Sequence, residues 1–571
     1  MTTNIKIRDS FIELSARERA KSVLDAGTFR ELLGPFEKME SPHLVSQGIV
    51  PQSDDGVVIG RGTIEGQSAV IAAIESDFQG GGIGEVSGAK IVGTLELALQ
   101  DNLKGIPTRA VLLLETGGVR LQEGNYGLLA IAEIHAAIVA LRQYQPVVCI
   151  IAGMLGCFGG MSITAGLCST LIMTRQGRLQ LNGPEVIEQE AGIEEWNSRD
   201  RPLIWKTVGG EQRYETGLAD MLVEDDVDNI RHAVRIVYKN NSLDNPRSAQ
   251  VDVFFTRLAA IGTELNIRPE TLRSLWSRTP LDADEKQLEA LEELWRQATP
   301  DNSLSRGRTW FQALTDNGKP LQNGAPSVLC ADSVIGKERV RYISVIPNKN
   351  NRFYRARNGE VGLDEGWTIA RYVRQAIEED KDGKRRAIVA IVDVPSQAYG
   401  YHEEMLGIYL ACAAAADAYA SARLAGHPVV ALIVGNAISG AFLAHGLQAN
   451  RLVALNDTGV SVQVMSRKSV ARVTKRSMEE LEAAAREIPA IAYNIESFAT
   501  LGALYSLTAG INADQPTPAD IDKVKWELLM DAISASRACP PDLGSRLLSE
   551  EAKRNRNASI TVRSKLAEQW R

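Results

Sequence analysis

The chain has 571 residues, enough for more than one domain with a buried core of its own. Its 63 basic and 71 acidic side chains leave a net charge of −8, which argues against a nucleic-acid binder that works through bulk charge. Six cysteines without a CxxC pair lie mostly in apolar runs, so they predict buried thiols of a cytoplasmic protein rather than a disulfide framework or a metal site.

Neither the N-terminus nor the most apolar segment predicts membrane attachment. Residues 1–21 are rich in charge and lack the apolar region of a signal peptide. Residues 146–174 carry no charge and are long enough to span a bilayer, but glycines and hydroxyl groups interrupt them. A strand, a loop and a second strand fit this segment better than one transmembrane helix does.

In chain order, the first half alternates apolar strands with helical segments. The strand VLLLE ends at Glu115, a long helix is expected over about 124–143, and the strand VVCII leads through a glycine loop to a short helix over 160–168. Strands that alternate with helices are typical of α/β folds with covered sheets. We expect an α/β domain over residues 1–242 and a charged helical connection over 243–302.

The second half repeats this order. The strand IVAIVD ends at Asp393, and a long helix is expected over about 403–425. The strand VVALIVG then leads to a second glycine loop and a short helix over 440–448. This order predicts a second α/β domain over residues 303–571.

Matched positions in the two halves indicate a duplication. Gly160 and Gly440 are 280 residues apart, and the tripeptide GEV at 84–86 recurs 275 positions later at 359–361. The spacing drifts slowly, as loop insertions would make it, which is typical of an internal repeat.

The glycine loops are the candidate functional elements. A strand that leads through glycines into a helix leaves backbone N–H groups at the positive end of the helix dipole. Two neighbouring donors form an oxyanion hole suited to an enolate. Alternatively, Gly159 and Gly160 only allow tight helix packing; two copies at matched positions favour the functional interpretation. Motifs for nucleotide binding, a nucleophile elbow and a zinc protease are absent from the sequence.

Long motifs in a fixed order resemble one known family. GGIGEVSGAK, LLLETGGVRLQEG, CFGGMS and LNGPEVIEQEAG resemble the β subunit of carboxyltransferases, which have the crotonase-like fold. AGIEEWNSRDRPLIWKTVGGEQR, SRGRTWFQAL, RARNGEVGLDEGW and VDVPSQAYG are similar to the β and γ subunits of biotin-independent malonate decarboxylase, here joined in one chain. The resemblance implies an α/β fold of two tandem crotonase-like domains.

The resemblance also implies an activity and its partners. The chain would be a cytoplasmic carboxy-lyase that converts a malonyl thioester to the acetyl thioester and CO2. The substrate would arrive on the phosphoribosyl-dephospho-CoA arm of an acyl carrier protein, and an acyl-carrier transferase subunit would belong to the same complex. No cofactor or metal is expected on this chain, and the sequence has no AMKM-like biotin attachment site. Whether the chain forms a homo-oligomer, with the site inside one chain or across a dimer, stays open.

Loss of CO2 moves an electron pair onto the thioester carbonyl, so the chemistry needs preorganised N–H donors. We assign them to the amides of Gly159 and Gly160, with Gly117 and Gly118 as the second contributor.

The second glycine loop is expected to act at the same site. By resemblance, Gly440 and Ala441 match the place that holds the biotin carbonyl in carboxyltransferases. Without biotin, we expect this loop to handle the departing carboxylate or the enol, helped by Ser396 and Gln397. The active site would then lie between the two halves.

Tyr399 and His402 are the candidate acids that return a proton to the carbanion. In the alternative interpretation Tyr399 is a packing aromatic, His402 begins a helix, and water supplies the proton.

The basic segment RKSVARVTKR at 467–476 is either a solvated helix face or a dock for the phosphates of the prosthetic group or an acidic carrier protein. The residues proposed to bind in this way are Arg467, Lys468, Arg472 and Lys475. Arg120 and Lys90 in the first half are weaker candidates for the same task.

Two other functions compete with this hypothesis. The first is a biotin-dependent acyl-CoA carboxyltransferase, which would receive biotin from a separate chain. The second is a catalytically silent scaffold subunit that only binds the carrier, although a scaffold has no need of open amides.

Overall fold

The structure is a computed structural model that describes residues 8–243, 245–262, 267–276, 284–298 and 301–571. In the described part of the first half, seven strands form one sheet in sequence order. The first three strands pair antiparallel, and the remaining pairs are parallel. The strands are β1 (Arg30–Leu32), β2 (Val57–Ile64), β3 (Gln67–Ile74), β4 (Arg109–Leu113), β5 (Val147–Ile151), β6 (Thr170–Thr174) and β7 (Met221–Val223).

Helices cover this sheet, and its central strands β4 and β5 are buried along their whole length. This explains why β5 and the part of β4 after Arg109 are apolar throughout, since a parallel strand with two covered faces has no polar side. The helices of the first half are α1 (Ala16–Val23), α2 (Glu85–Leu103), α3 (Asn125–Leu141), α4 (Gly160–Leu167), α5 (Pro184–Ala191), α6 (Arg201–Val208), α7 (Gly210–Glu215) and α8 (Val227–Asn240).

Three helices belong to the connecting stretch, namely α9 (Val251–Ala259), α10 (Pro269–Trp276) and α11 (Glu285–Gln297). Helices α9 and α11 contact the second half, where the Phe254 ring stacks on Trp367 with 4.7 Å between ring centroids and Glu292 pairs with Arg371 at 2.8 Å. Helix α10 packs on α7 of the first half. Residues 244, 263–266, 277–283 and 299–300 lie outside the described residues, so the helical character expected for all of 243–302 stays a prediction there. The domain limits at 242 and 302 also stay predictions.

The second half builds the same kind of sheet, in the order β14-β12-β11-β10-β9-β8 with β13 paired to β11. Only the β8–β9 pair is antiparallel among these pairings. The strands are β8 (Val328–Ile335), β9 (Glu338–Val345), β10 (Ala387–Val394), β11 (Val429–Ile438), β12 (Arg451–Leu455), β13 (Ser461–Gln463) and β14 (Leu504–Thr508).

The helices of this half surround its sheet and continue past it. They are α12 (Arg306–Leu314), α13 (Leu363–Glu379), α14 (Tyr401–Met405), α15 (Ile408–Leu424), α16 (Ser439–Ala444), α17 (Arg467–Thr474), α18 (Met478–Glu487), α19 (Ile495–Ala499), α20 (Pro518–Asp522), α21 (Met530–Arg537), α22 (Glu550–Asn555) and α23 (Asn557–Gln569), with a π-helix over Lys523–Leu529 between α20 and α21. The segment expected as one helix over 403–425 is therefore divided between α14 and α15, because Gly407 separates them in a left-handed conformation.

The structure corrects the register of the repeat. Gly84 caps α2 with φ −108° and ψ −157°, and Gly362 caps α13 with φ −106° and ψ −159°. These two glycines are 278 positions apart, as are Glu115 and Asp393. The GEV tripeptides, 275 apart, therefore do not occupy equivalent positions, and their match is a coincidence of sequence.

The two halves are interlocked. Helix α15 of the second half packs on α3 and α4 of the first, and α23 packs on α2. At the second contact Arg556 and Arg563 each donate to the buried Glu133 carboxylate at 2.7 Å. Among the described residues, no helix is both long enough and apolar enough to cross a membrane.

Candidate active site

A cavity of about 690 Å³ lies between the two halves. The first half contributes the loops that follow β4 and β5 and the segment that leads into α5. The second half contributes the loops after β10 and β11 and one side of α17. Gly117, Gly159, Gly160, Ser396, Gln397 and Tyr399 all line this cavity. One chain therefore brings the predicted residues of both halves together.

An acidic side chain at the end of each central strand supports the neighbouring glycine loop. Glu115 accepts a hydrogen bond from the Leu155 N–H at 3.3 Å, and Asp393 accepts one from the Asn436 N–H at 3.1 Å. A Cβ at Gly153 or Gly435 would lie 1.7 Å or 2.1 Å from the carboxylate oxygen. These two glycines therefore leave room for the acid rather than for a ligand.

The first glycine loop contacts the loop after β4. The Gly118 and Gly159 backbones lie in van der Waals contact: a Cβ on Gly118 would be 3.1 Å from the Gly159 Cα. Both glycines have positive φ, +97° and +57°, a conformation that side chains disfavour. This close approach is the reason that both loops carry glycine.

Three of the four amides expected to form the oxyanion hole are already bonded. The Gly159 N–H donates to the Leu181 carbonyl at 2.9 Å, and the Gly117 N–H donates to the Gly80 carbonyl at 2.8 Å. The Gly118 N–H donates to the Thr116 hydroxyl at 3.0 Å. Of the predicted donors, only Gly160 has an open amide.

The second open amide belongs to Val119, which the sequence analysis missed. Ile83 forms a parallel bridge with Val119, in which the Ile83 N–H donates to the Gly118 carbonyl and the Arg120 N–H to the Ile83 carbonyl. The residue between two such bonds turns its own N–H to the opposite side. Within the described residues, neither the Val119 N–H nor the Gly160 N–H has an acceptor. Both residues line the cavity and form its candidate pair of donors.

The second glycine loop differs because its amide is occupied. The Gly440 N–H donates to the side-chain oxygen of Gln397 at 3.0 Å, and both Gly440 and Ala441 are buried outside the cavity wall. Gln397 occupies the position equivalent to Val119, since it forms the corresponding bridge with Val361. The Ser396 hydroxyl donates to the Gln397 carbonyl at 2.8 Å. Gln397 therefore accepts the Gly440 N–H, the donor at which we expected a substrate group to bind.

The two candidate acids lie in different places. Tyr399 is half-buried and lines the cavity, and burial raises the pKa of its hydroxyl, reinforced by Glu190 and Glu360. His402 does not line the cavity; it lies near the start of α14, edge-on to the Tyr401 ring. Burial lowers the pKa of His402, against the raising effect of Glu195. The geometry favours Tyr399. His135 and His445 are fully buried, in agreement with a core role.

The structure contradicts the phosphate-binding role expected for two basic residues, Arg120 and Lys90. The Arg120 guanidinium is 1% exposed and donates to Asp55 and to Glu123, each at 2.6 Å. Lys90 is fully buried, and its ammonium group donates to the carbonyls of Leu33, Asp54 and Val57. Neither cation is free to bind a phosphate, because buried acceptors already hold it.

The cation that the cavity does present is Arg178, which the sequence analysis did not single out. Its guanidinium stacks over the rings of Phe158 and Trp205, with its carbon 4.8 Å and 5.0 Å from the centroids. Burial lowers the pKa of Arg178, against the raising effect of Glu185. Its role is indicated only by the neighbouring Phe158 and Trp205 rings, and that neighbourhood is visible only in three dimensions.

Helix α17 forms one wall of the cavity mouth. Ser469, Val473 and Thr474 face the cavity. The Ser469 hydroxyl donates to Glu190, so that α17 of the second half is fastened to α5 of the first. The four basic residues of this helix and its C-cap are exposed, and they are Arg467, Lys468, Arg472 and Lys475.

Within the described ranges, no group of three or more His, Cys, Asp and Glu side chains could hold a metal ion. The six cysteines are free thiols, and five of them are buried.

Each half of the chain matches a known protein family. Residues 13–272 match the carboxyl transferase domain, and residues 356–570 match the malonate decarboxylase gamma subunit. The malonyl-S-ACP:biotin-protein carboxyltransferase MADC of Malonomonas rubra is 37% identical over 281 residues, which cover 47% of this chain and 88% of that protein. MADD, with the same description and from the same organism, is 40% identical over 167 residues, which cover 28% of this chain and 57% of that protein.

A solved structure resembles the chain over a similar length. A Pseudomonas malonate decarboxylase hetero-tetramer in complex with malonate is 59% identical, covers 47% of this chain and 98% of the matched chain, and has a TM-score of 0.47.

Proposed function

Because the chain belongs to the carboxyltransferase family that includes malonate decarboxylase subunits, with a β-like and a γ-like half in one polypeptide, we propose that it decarboxylates a malonyl thioester to the acetyl thioester and CO2. The C–C bond to the carboxylate breaks, its electron pair moves onto the thioester carbonyl as an enolate, and the carbon then gains a proton. No biotin takes part in this sequence of steps.

The observation that supports this function most directly is the pair of open amides at Val119 and Gly160. Two N–H groups that meet at one point stabilise an enolate oxygen more than the ground-state carbonyl, because the charge develops only as the bond breaks. Gly160 is the first residue of α4, whose dipole adds to this effect. The thioester carbonyl binds between these two amides.

Tyr399 returns the proton to the carbanion. Its hydroxyl has a raised pKa and therefore stays protonated at neutral pH. It lines the same cavity as the two donors, on the side of the second half. The hydrogen bond from Ser469 to Glu190 joins α17 to α5 at the wall of this cavity.

The exposed face of α17 receives the carrier. Arg467, Lys468, Arg472 and Lys475 present four positive charges beside the cavity mouth. Guanidinium and ammonium groups in this arrangement suit the phosphates of a phosphoribosyl-dephospho-CoA arm or an acidic carrier surface. An acyl carrier protein and its acyl-carrier transferase are the partners that this function requires.

Carboxyl transfer to a biotin protein is the second candidate, and the activity named for MADC and MADD favours it. A second bound carbonyl would need a second open donor site. The Gly440 N–H is occupied by Gln397 at 3.0 Å, so the resting structure offers no such donor at that loop. Decarboxylation therefore fits the geometry better.

Two substitutions at one residue test the oxyanion hole. Gly160→Ala adds a Cβ that would lie 2.7 Å from a methyl carbon of the flexible Leu443 side chain. Gly160→Pro adds the same Cβ and also removes the N–H, at a first-turn position where helices tolerate proline. We expect the proline variant to release CO2 about 10²- to 10³-fold more slowly than the alanine variant.

The assay measures CO2 release from malonyl-CoA and from malonyl-carrier by the purified chain without biotin. Equal rates in the two variants would argue against the Gly160 amide as a donor. No release by the native chain until a biotinyl protein is added would establish the second candidate instead.

A further inference from the structure

Glu404 on α14 is a buried carboxyl group of the second half that reaches into the first half. Its side chain is fully buried. One oxygen accepts the Leu181 N–H at 2.9 Å, and the other accepts the Asn182 N–H at 2.7 Å and the Asn182 side-chain amide at 2.8 Å. Three donors from two consecutive residues therefore converge on one carboxylate across the interface.

From this carboxylate a chain of hydrogen bonds leads to the first glycine loop. The Leu181 carbonyl accepts the Gly159 N–H at 2.9 Å. Gly159 immediately precedes Gly160, whose open amide is one of the two candidate donors. The position of Leu181 therefore fixes where the Gly160 N–H points.

A second chain of hydrogen bonds leads to the other glycine loop. The Asn182 side-chain oxygen accepts the Gln397 amide group at 2.7 Å. The Gln397 oxygen in turn accepts the Gly440 N–H at 3.0 Å. Glu404 is thus the common end of two paths, one to each loop.

We propose that Glu404 is a positioning residue for the reaction: its carboxylate sets the relative position of the two glycine loops across the interface between the halves. The kinetic test of this role rests on the proposed function. The hydrogen bonds that define the role do not depend on that function. The other carboxylate of α14 belongs to Glu403, which forms no hydrogen bond to either glycine loop in the described residues.

The charge of Glu404 is compensated by these donors. Burial raises the pKa of its carboxyl to about 7, while the Leu181 and Asn182 hydrogen bonds and the Arg213 charge act in the opposite direction. The other titratable groups that interact with it are Glu403 on the same helix and Cys412 on α15. A buried carboxylate is stable only where hydrogen-bond donors satisfy its oxygen atoms.

Glu404→Gln keeps the size of the side chain but replaces one acceptor oxygen by an NH2 group. That group would face a backbone N–H, and two donors cannot bond to each other. The segment 181–182 must then shift, and the Gly159–Gly160 loop with it. Glu403→Gln is the matched control, because Glu403 is the adjacent residue, is also buried, and has a pKa raised to about 7 by burial.

The kinetic test measures kcat and KM for malonyl-CoA in both variants. We expect Glu404→Gln to lower kcat by roughly 10- to 100-fold with KM changed less than about threefold, because a displaced donor affects the transition state more than binding. Glu403→Gln should stay within about threefold of the native kcat. Similar kcat values in the two variants, or a loss confined to KM, would overturn the proposal.

Amide hydrogen exchange provides a readout that needs no activity. Exchange at Gly159, Leu181 and Gly440 should be faster in Glu404→Gln than in the native chain and unchanged in Glu403→Gln. If the native chain proves inactive, the proposed function fails while this exchange pattern still decides the positioning role. If Glu404→Gln does not fold, Glu404→Asp, which keeps both oxygens but is shorter, should show the same exchange pattern, and native-like exchange in it would count against the proposal.

Discussion

At the scale of single residues, the site depends on the direction of backbone N–H groups more than on side chains. In the proposed mechanism Val119 acts through its amide, and its apolar side chain gives no hint of that role. The equivalent position in the second half is Gln397, whose side chain covers the Gly440 N–H. The duplicated glycine loop thus presents an open N–H at Gly160 in the first half and a bonded N–H at the equivalent Gly440 in the second.

Tyr399→Phe tests the proton donor. Removal of the hydroxyl should lower kcat for CO2 release by about 10²-fold, the lower end of the range for a positioned general acid. His402→Ala should have little effect, because His402 does not line the cavity. The measurement is the steady-state rate of both variants with malonyl-CoA. An unchanged rate in Tyr399→Phe would assign the proton to water.

At the scale of elements, α17 has two faces with different tasks. The face with Ser469 closes the cavity against α5, and the exposed face carries the basic residues. The hydrogen bond to Glu190 lies on the Ser469 side of the helix, and on the exposed side the Arg467 guanidinium stacks over the Tyr493 ring, with its carbon 4.7 Å from the ring centroid.

Neutralising the basic face should weaken carrier binding. Replacing Arg467, Lys468, Arg472 and Lys475 with glutamine should raise KM for malonyl-carrier by about tenfold or more and leave kcat nearly unchanged, since distant charges steer and bind but do not react. The native KM should rise steeply with salt, and the variant KM should not. Substitution of the exposed Lys319 and Lys337, which do not line the cavity, is the control. A salt-independent native KM would contradict the docking role.

At the scale of the whole molecule, the halves depend on each other for stability. Helix α23 lies on α2, and the Glu133 carboxylate holds Arg556 and Arg563 at this contact. Burial alone would raise the pKa of Glu133, but the two arginines outweigh it and the pKa is lowered. The ion pairs therefore stabilise the fold above the ordinary pKa of glutamate and lose this contribution as the pH falls through the lowered value.

Glu133→Gln should destabilise the protein by about 3–5 kcal/mol, because it leaves the buried Arg556 without its carboxylate partner and Arg563 with Glu96 alone. Urea unfolding at pH 7 measures the loss, and the difference from the native chain should shrink as the pH falls below about 4. Glu550→Gln, which removes an exposed ion pair with Lys553, should leave the unfolding midpoint unchanged. A native-like midpoint in Glu133→Gln would show that the ion pairs of Glu133 contribute little to the stability of the fold.

The sequence predicted the architecture because strand and helix periodicities are local. The strands that lead to Glu115 and Asp393 are confirmed as β4, which ends at Leu113, and β10, which ends at Val394. The short helix expected over 160–168 is confirmed as α4, whereas the one expected over 440–448 ends at Ala444. The two tandem crotonase-like domains that the resemblance implied are confirmed. The donors at Gly159, Gly117 and Gly118 were wrong because the partner of an N–H group depends on which segment lies beside it. Leu181, Gly80 and the Thr116 hydroxyl take those amides, and none of these contacts leaves a pattern in the sequence.

The packing of α23 on α2 also affects the chain while it is being synthesised. Helix α2 ends at Leu103, but the segment that covers it starts only at Asn557. At about 5–20 residues per second, a ribosome needs roughly 20–90 s to make the intervening chain. During that interval the face of α2 that receives Leu566 has no partner within the chain. We therefore expect newly synthesised first halves to bind chaperones. A chain truncated before α23 should be recovered from cells mainly as aggregate.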